Sequence, residues 1–387
     1  MMSFLQRQLA LAINEQKDKF PVIAVTGPRQ SGKTTLLKNI FKDYTYISLE
    51  NPNNKSFAQD DPVGFLKRYD DKIILDEAQQ APLLFSYIQT IVDESKKMGQ
   101  FILSGSQNFQ LLNNITQSLA GRVALFKLLP FDFEEMKSGN LLPDNFAQAC
   151  INGFYPAIFD RNIEPRIFYF NYLQTYVQRD VTELINIRDT RQFRSFLSLC
   201  AARVGQLLNL NALANECGIS QPTAKAWLSI LETSYIIFQL QPFYQNFNKR
   251  VVKSPKLYFY DTGLLCYILG IRYTSSFDDS PLRGNIFENL VVAEYYKKNE
   301  HLYLHRDYWF WRDSNGHEID LMTHNGNSFD IFEIKSTQTI TPAQFKGMDF
   351  FESIAKSQIS NKTLIYGGKD NQERTNYTVL GWSNINS

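Results

Sequence analysis

Short apolar, β-rich runs recur through the first third of the chain: PVIAVTG, YTYISLE, KIILDE and QFILSGS. Helix-like stretches separate several of them, and that rhythm predicts a parallel sheet covered by helices. Residues 1–140 are therefore expected to form one α/β domain. The turn-rich, proline-bearing segment LLPFDFEEMKSGNLLPDNF marks its exit. From Pro165 to about Ala202 the pattern is helical, which predicts a helical linker region over 141–205. Residues 206–275 read as a third unit and residues 280–387, rich in β signals, as a fourth. No internal repeat or low-complexity tract interrupts this order.

The N-terminal stretch MMSFLQRQLALAINEQKDKF patterns as an amphipathic helix. It lacks an apolar core followed by a small-residue cleavage site, so no signal peptide is expected. No stretch approaches the roughly 18 apolar residues of a spanning helix, and no membrane partner is expected.

Composition adds only a little. A chain of 387 residues with 44% hydrophobic and 20% charged positions is that of a folded protein with several cores. Lys+Arg 40 against Asp+Glu 39 neither promotes nor excludes nucleic-acid binding, because a basic groove can hide in a neutral total. Cys150, Cys200, Cys217 and Cys266 stand far apart without a C-x-x-C pair. Zinc ligation and a disulfide framework are not expected, and a cytoplasmic location fits.

The strongest chemical signal is VIAVTGPRQSGKTTLLKNIF, with Gly27-x-x-x-x-Gly32-Lys33-Thr34 between a β-branched strand and an apolar helix. Glycines let such a loop curl until its N–H groups face phosphate oxygens, and the following helix adds its positive end. Gly27, Pro28, Arg29, Gln30, Ser31, Gly32, Lys33, Thr34 and Thr35 are expected to line an ATP site. Lys33 would reach the β- and γ-phosphates, and the Thr34 hydroxyl would ligate Mg²⁺. KIILDEAQQAP then ends an apolar strand in Asp76 and Glu77. Asp76 would hold Mg²⁺ through water and Glu77 would orient the attacking water, although Asp-Glu also begins many loops. QFILSGSQN ends in Ser104, Gly105, Ser106 and Gln107, either a sensor of the γ-phosphate, with Ser106 its candidate, or a plain polar loop. Arg122 in SLAGRVALF is read as an arginine finger, in cis or in trans, or as a surface ion pair; Arg29 is the competing finger. A finger in trans would require a homo-oligomer or another partner.

The middle of the chain reads as a helix-turn-helix: Leu210–Cys217, a turn at Gly218, and a helix capped by Ser220 and running through Leu231. A strand pair after it would make the unit winged. Gln221, Thr223 and Lys225 would face outward, and Lys249, Arg250, Lys253 and Lys256 would form a basic wing for DNA phosphates. A winged helix used only for packing is the alternative.

HEIDLMTHNGNSFDIFEIKST predicts a hairpin. Alternation places Glu333 and Lys335 on one face. A four-residue loop over Asn325–Ser328 sets Asp320 opposite Glu333 and Glu318 opposite Lys335, whereas a two-residue Asn325-Gly326 turn sets Glu318 opposite Glu333. Either register opposes two carboxylates, which calls for a cation. The preceding helical segment RGNIFENLVVAEYYKKN supplies Glu288. Glu288, Asp320 and Glu333-x-Lys335 follow the order of a PD-(D/E)xK nuclease core, where the carboxylates hold Mg²⁺ and the lysine positions water. A core that grips DNA or a protein without cutting is the alternative.

Taken together, GPRQSGKTTLL, ILDEAQ, LSGSQN, SLAGR, LPFDFEE, YVQRDV, GQLLNLNALA, KSPKLYFYDTGLL, FEN, HEIDLM and FEIKS cover nearly the whole chain. The set resembles the AAA-like P-loop ATPases of bacteria and archaea that carry a C-terminal domain of unknown function. The resemblance implies a P-loop ATPase domain, a winged helix and a restriction-nuclease-like C-terminal fold. It also implies ATP hydrolysis through Gly32, Lys33, Thr34, Asp76 and Glu77. Arg179 and Asp180 in YVQRDV match a characteristic pair of that family. No motif residue is missing.

Overall fold

The computed structural model describes residues 5–69, 71–106, 108–176, 190–244, 252–355 and 358–385. The expectations for Gln107, Arg179, Asp180, Lys249 and Arg250 concern positions outside them. The β-rich runs form β1 (Val22–Thr26), β2 (Thr45–Ser48), β3 (Ile73–Asp76), β4 (Phe101–Gly105) and β5 (Val123–Lys127). All five are parallel, in the order β2-β3-β4-β1-β5. β1, β3 and β4 are buried at every position, which is why their sequences run apolar without alternation. One face packs on Phe65, Leu84, Phe85 and Ile88, the other on Leu9, Ile13, Leu36 and Leu37. Because the strands are parallel, Thr26, Ser48, Asp76 and Gly105 end at one edge, where α/β sheets bind ligands.

The helix-turn-helix forms as helices Leu210–Cys217 and Gln221–Thr233, with Gly218 at φ 65° between them. The Ser220 hydroxyl caps the second helix by accepting the Thr223 N–H. β6 (Ile237–Pro242) and β7 (Lys256–Phe259) follow as an antiparallel pair. The last unit contains the long helix Arg283–His301 and then β8 (Tyr308–Arg312), β9 (Glu318–Asn325) and β10 (Ser328–Lys335). The helix Lys346–Ala355, β11 (Ile359–Tyr366), β12 (Gln372–Arg374) and β13 (Tyr377–Gly381) complete it. β8, β9 and β10 run antiparallel in turn, and β11 returns parallel to β10.

β6 also pairs in parallel with β8, so β6 and β7 are the edge of one sheet ordered β12-β13-β11-β10-β9-β8-β6-β7. The strand pair after the helix-turn-helix is thus part of the C-terminal sheet and not a freestanding wing. Lys256 corrects the basic-wing expectation further: it is 2% exposed and faces carboxylates. Phe168 and Phe196 of the helical region, Trp227 of the helix-turn-helix, Phe287 of the long helix and Trp382 share one core. Among the described residues, no helix is long and apolar enough to cross a membrane.

Candidate functional site

After Thr26 the chain turns at Gly27, with φ 145°. A Cβ there would stand 2.1 Å from the Leu128 carbonyl oxygen, so the turn accepts no side chain. Gly32, at φ 95°, opens the helix Lys33–Ile40. Pro28, Arg29, Gln30 and Ser31 span the loop between them. The buried Lys33 ammonium donates to the Gly27 and Pro28 carbonyls at 2.8 Å each. Thr35, next to Thr34, is exposed.

Asp76 is the hub of the strand edge. It accepts from Thr34 Oγ1 at 2.8 Å, from the Tyr46 hydroxyl at 2.7 Å and from the Ser104 hydroxyl. Glu77 has a left-handed backbone, φ 54°, uncommon for a residue with a side chain. Its Oε2 accepts from both the N–H and the hydroxyl of Ser106 at 3.1 Å. Lys33, Thr34, Asp76, Glu77 and Ser106 therefore meet at one edge. Tyr46 was not foreseen, because nothing local in YTYISLE says which way its hydroxyl points.

Arg122 lies elsewhere. Its carbonyl accepts from the Val22 N–H at the start of β1. It therefore sits at the far end of the strands, about 16 Å from the loop at roughly 3.3 Å per residue. Its guanidinium holds Asp93 through two bonds, of 2.5 and 2.8 Å. A finger acting within one chain is corrected to a surface ion pair.

In the C-terminal unit, Asn325 pairs with Ser328 and Leu321 with Phe332, the first of the two anticipated registers. The Asp320 carboxylate accepts the Ile334 N–H at 2.8 Å. Lys335 Nζ lies 3.3 Å from Asp320 Oδ2 and 2.6 Å from Glu333 Oε1. The long helix brings Glu288, whose Oε1 takes Lys256 Nζ at 2.7 Å and the Tyr258 hydroxyl. Lys256 also pairs with Glu318, which binds Arg312 at 3.3 Å. The charged side chains of Lys256, Glu288, Glu318, Asp320, Glu333 and Lys335 line one cleft of about 710 Å³ with Gly205, Asn285 and His317.

Burial, and then the neighbouring Asp320 charge, pushes the Glu333 carboxyl up to about 8. Burial also pushes Asp320 up, but Lys335, Lys256 and the Ile334 N–H outweigh it and hold the group below the usual range. Glu333 Oε2 is buried and makes no hydrogen bond. Lys256 was missed as a cleft residue, as was the buried Tyr258 that bonds Glu288 from behind it; the clue is a lysine beginning an otherwise apolar strand, KLYF, where burial demands a counter-charge.

A buried polar chain joins the two regions. Arg7, 4% exposed, donates to the Ser31 carbonyl of the loop at 2.7 Å and to the Leu129 carbonyl at 2.6 Å. Its Nε pairs with Glu135 at 2.9 Å. Asp132 and Glu135 form a reciprocal cap on the helix Phe133–Ser138. Asp132 Oδ2 lies 2.7 Å from Nδ1 of His301, the last residue of the long helix. The same helix carries Glu288 about 20 Å away, at 1.5 Å per residue. The Tyr235 hydroxyl, from the end of the helix-turn-helix, also reaches Thr26 Oγ1 at 2.7 Å.

Residues 19–137 match the family model of an AAA domain. That stretch is similar to AAA-like P-loop domains. This fold supports nucleotide binding and ATP hydrolysis. Residues 143–275 and 283–385 match models of two different domains of unknown function. An uncharacterised protein of Mycobacterium tuberculosis is 28% identical over 368 residues, 94% of this chain and 80% of its own length. An uncharacterised protein of Haemophilus influenzae is 23% identical over 310 residues, 72% of this chain and 75% of that protein. A solved Walker-type ATPase of Pyrococcus abyssi aligns at TM-score 0.45 and 15% identity, covering 68% of this chain and 96% of that one.

Proposed function

We propose that this chain is a Mg²⁺-dependent ATPase whose nucleotide state controls a DNA-binding, nuclease-like C-terminal half. One observation carries the coupling: the long helix places Glu288 in the acidic cleft and His301 in the buried chain that ends on Ser31 of the loop. A shift of the loop on nucleotide binding would bear on Arg7 and Glu135, and through Asp132 on the helix that lines the cleft.

At the nucleotide site, the loop N–H groups and Lys33 would bind and orient phosphates. Thr34 and Asp76 would hold Mg²⁺, which supplies charge neutralisation on the phosphates. Glu77, fixed by Ser106, would orient the attacking water. A finger from Arg122 would have to come from a second copy of the chain.

In the cleft, the unpartnered Glu333 oxygen beside Asp320 gives oxygen donors of the kind hard divalent cations take. Asp320 and Glu333 would hold Mg²⁺, which would polarise the phosphodiester; Lys335 would position water. Exposed Gln221 and Lys225 support DNA contact by the helix-turn-helix, while Thr223 is half-buried against Ser220. Lys335 bridging both carboxylates favours a second reading: a nucleotide-controlled switch or scaffold whose cleft binds DNA or a protein without cutting.

Lys33→Ala is expected to abolish ATP turnover; unchanged hydrolysis would refute the site. Plasmid, linear and branched DNA are to be incubated with Mg²⁺ or Mn²⁺ and full-length protein. Cutting lost in Lys335→Ala supports the nuclease reading, cutting that survives it points to another site, and no cutting supports the switch.

A further inference from the structure

Four carboxylates line the cleft, Glu288, Glu318, Asp320 and Glu333, and two ammonium groups meet them. The two lysines are not alike. The Lys335 side chain is 38% exposed, so it can swing toward solvent and yield its place between Asp320 and Glu333. The Lys256 side chain is 3% exposed, on the edge strand contributed by the middle of the chain. The backbone on both sides of it is pinned: Gly205 N–H donates to the Leu257 carbonyl and Leu208 N–H to the Pro255 carbonyl. Its Nζ lies between Glu288 and Glu318, and the Tyr258 hydroxyl closes over the same Glu288 oxygen. A lysine buried this way keeps its charge because carboxylates surround it, and its pinned strand holds it in the cleft wall.

We propose that Lys256 is a built-in cation that limits the cleft to one divalent ion, held by Asp320 and Glu333. The ammonium stands where a second ion would need to sit, between Glu288 and Glu318. Glu288 thus serves to hold Lys256 rather than a metal, which reassigns the ligand role expected from its order in the sequence. Lys256 is a positioning residue; it fixes the electrostatics of the cleft. Because it belongs to the strand after the helix-turn-helix, the middle of the chain completes the C-terminal site. The inference rests on the cleft being a cation site.

The test is a count. Mn²⁺ alone is titrated into nucleotide-free, full-length protein, and bound ion is followed by electron paramagnetic resonance. The ions lost in Asp320→Asn are those of the cleft. One such ion is expected in the unaltered chain, one in Lys256→Arg, and one more in Lys256→Met. Two in the unaltered chain would overturn the inference while leaving the cleft a metal site. None would overturn both. An unchanged count and affinity in folded Lys256→Met would also overturn it. If Lys256→Met does not fold, the count in the unaltered chain still decides between one ion and two.

Discussion

At Gly27 the backbone leaves no room for a side chain, since a Cβ would press on the Leu128 carbonyl at 2.1 Å. Gly27→Ala is expected to lower stability by roughly 1–3 kcal/mol, or to displace the loop and weaken nucleotide binding. Urea midpoints and titration with a fluorescent nucleotide check both; no change in either would mean the turn is not held against Leu128. Gly121, at φ 76° with nothing within 4 Å, is the control, and Gly121→Asn is expected to cost under about 1 kcal/mol. The glycines and Lys33 were legible because their spacing is a local property of one turn. Arg7, Tyr46 and Tyr235 were not, because a hydrogen-bond partner many residues away leaves no mark on the residue's own neighbourhood.

Among the elements, the helix Phe133–Ser138 is tied to both halves of the chain by buried charge. Glu135 and His301 have essentially no exposure, and Arg7 is the guanidinium neighbour of Glu135. Arg7→Met would strand the Glu135 carboxylate and is expected to cost roughly 3–5 kcal/mol. Adding Glu135→Gln should restore part of it; strict additivity in the double-mutant cycle would argue against the pairing.

Asp132 gives the pH dependence of this element. Burial pushes its carboxyl up, but the hydrogen bond and charge of His301, the Glu135 N–H and Arg7 outweigh that and leave it below its ordinary 3.8. A depressed folded value means the stabilisation is complete above about pH 3.8 and is lost as pH falls below it. The stability gap between the unaltered chain and Asp132→Asn, read from urea midpoints, should therefore shrink from pH 7 to pH 3; a constant gap would sink this assignment. Element by element, the faces of the hairpin were legible because strand alternation has a period of two, whereas the choice between its two registers depended on the turn around Gly326. The destination of β6 and β7 was not, because an edge strand's pattern does not name the sheet it joins.

For the whole molecule, the parallel sheet and the mixed C-terminal sheet are joined through buried polar groups as well as apolar contact. The long helix touches both the buried chain behind the P-loop and the acidic cleft. If nucleotide state moves the first, it biases the second, and effects of this kind are typically 5- to 150-fold in affinity. The direct measurement is the affinity of full-length protein for branched DNA, in Ca²⁺ to prevent cutting, with a non-hydrolysable ATP analogue and then with ADP. The expected result is at least about a fivefold difference between the two nucleotides that disappears in Lys33→Ala. Equal affinity in the two states of the unaltered protein would contradict nucleotide control of the C-terminal half.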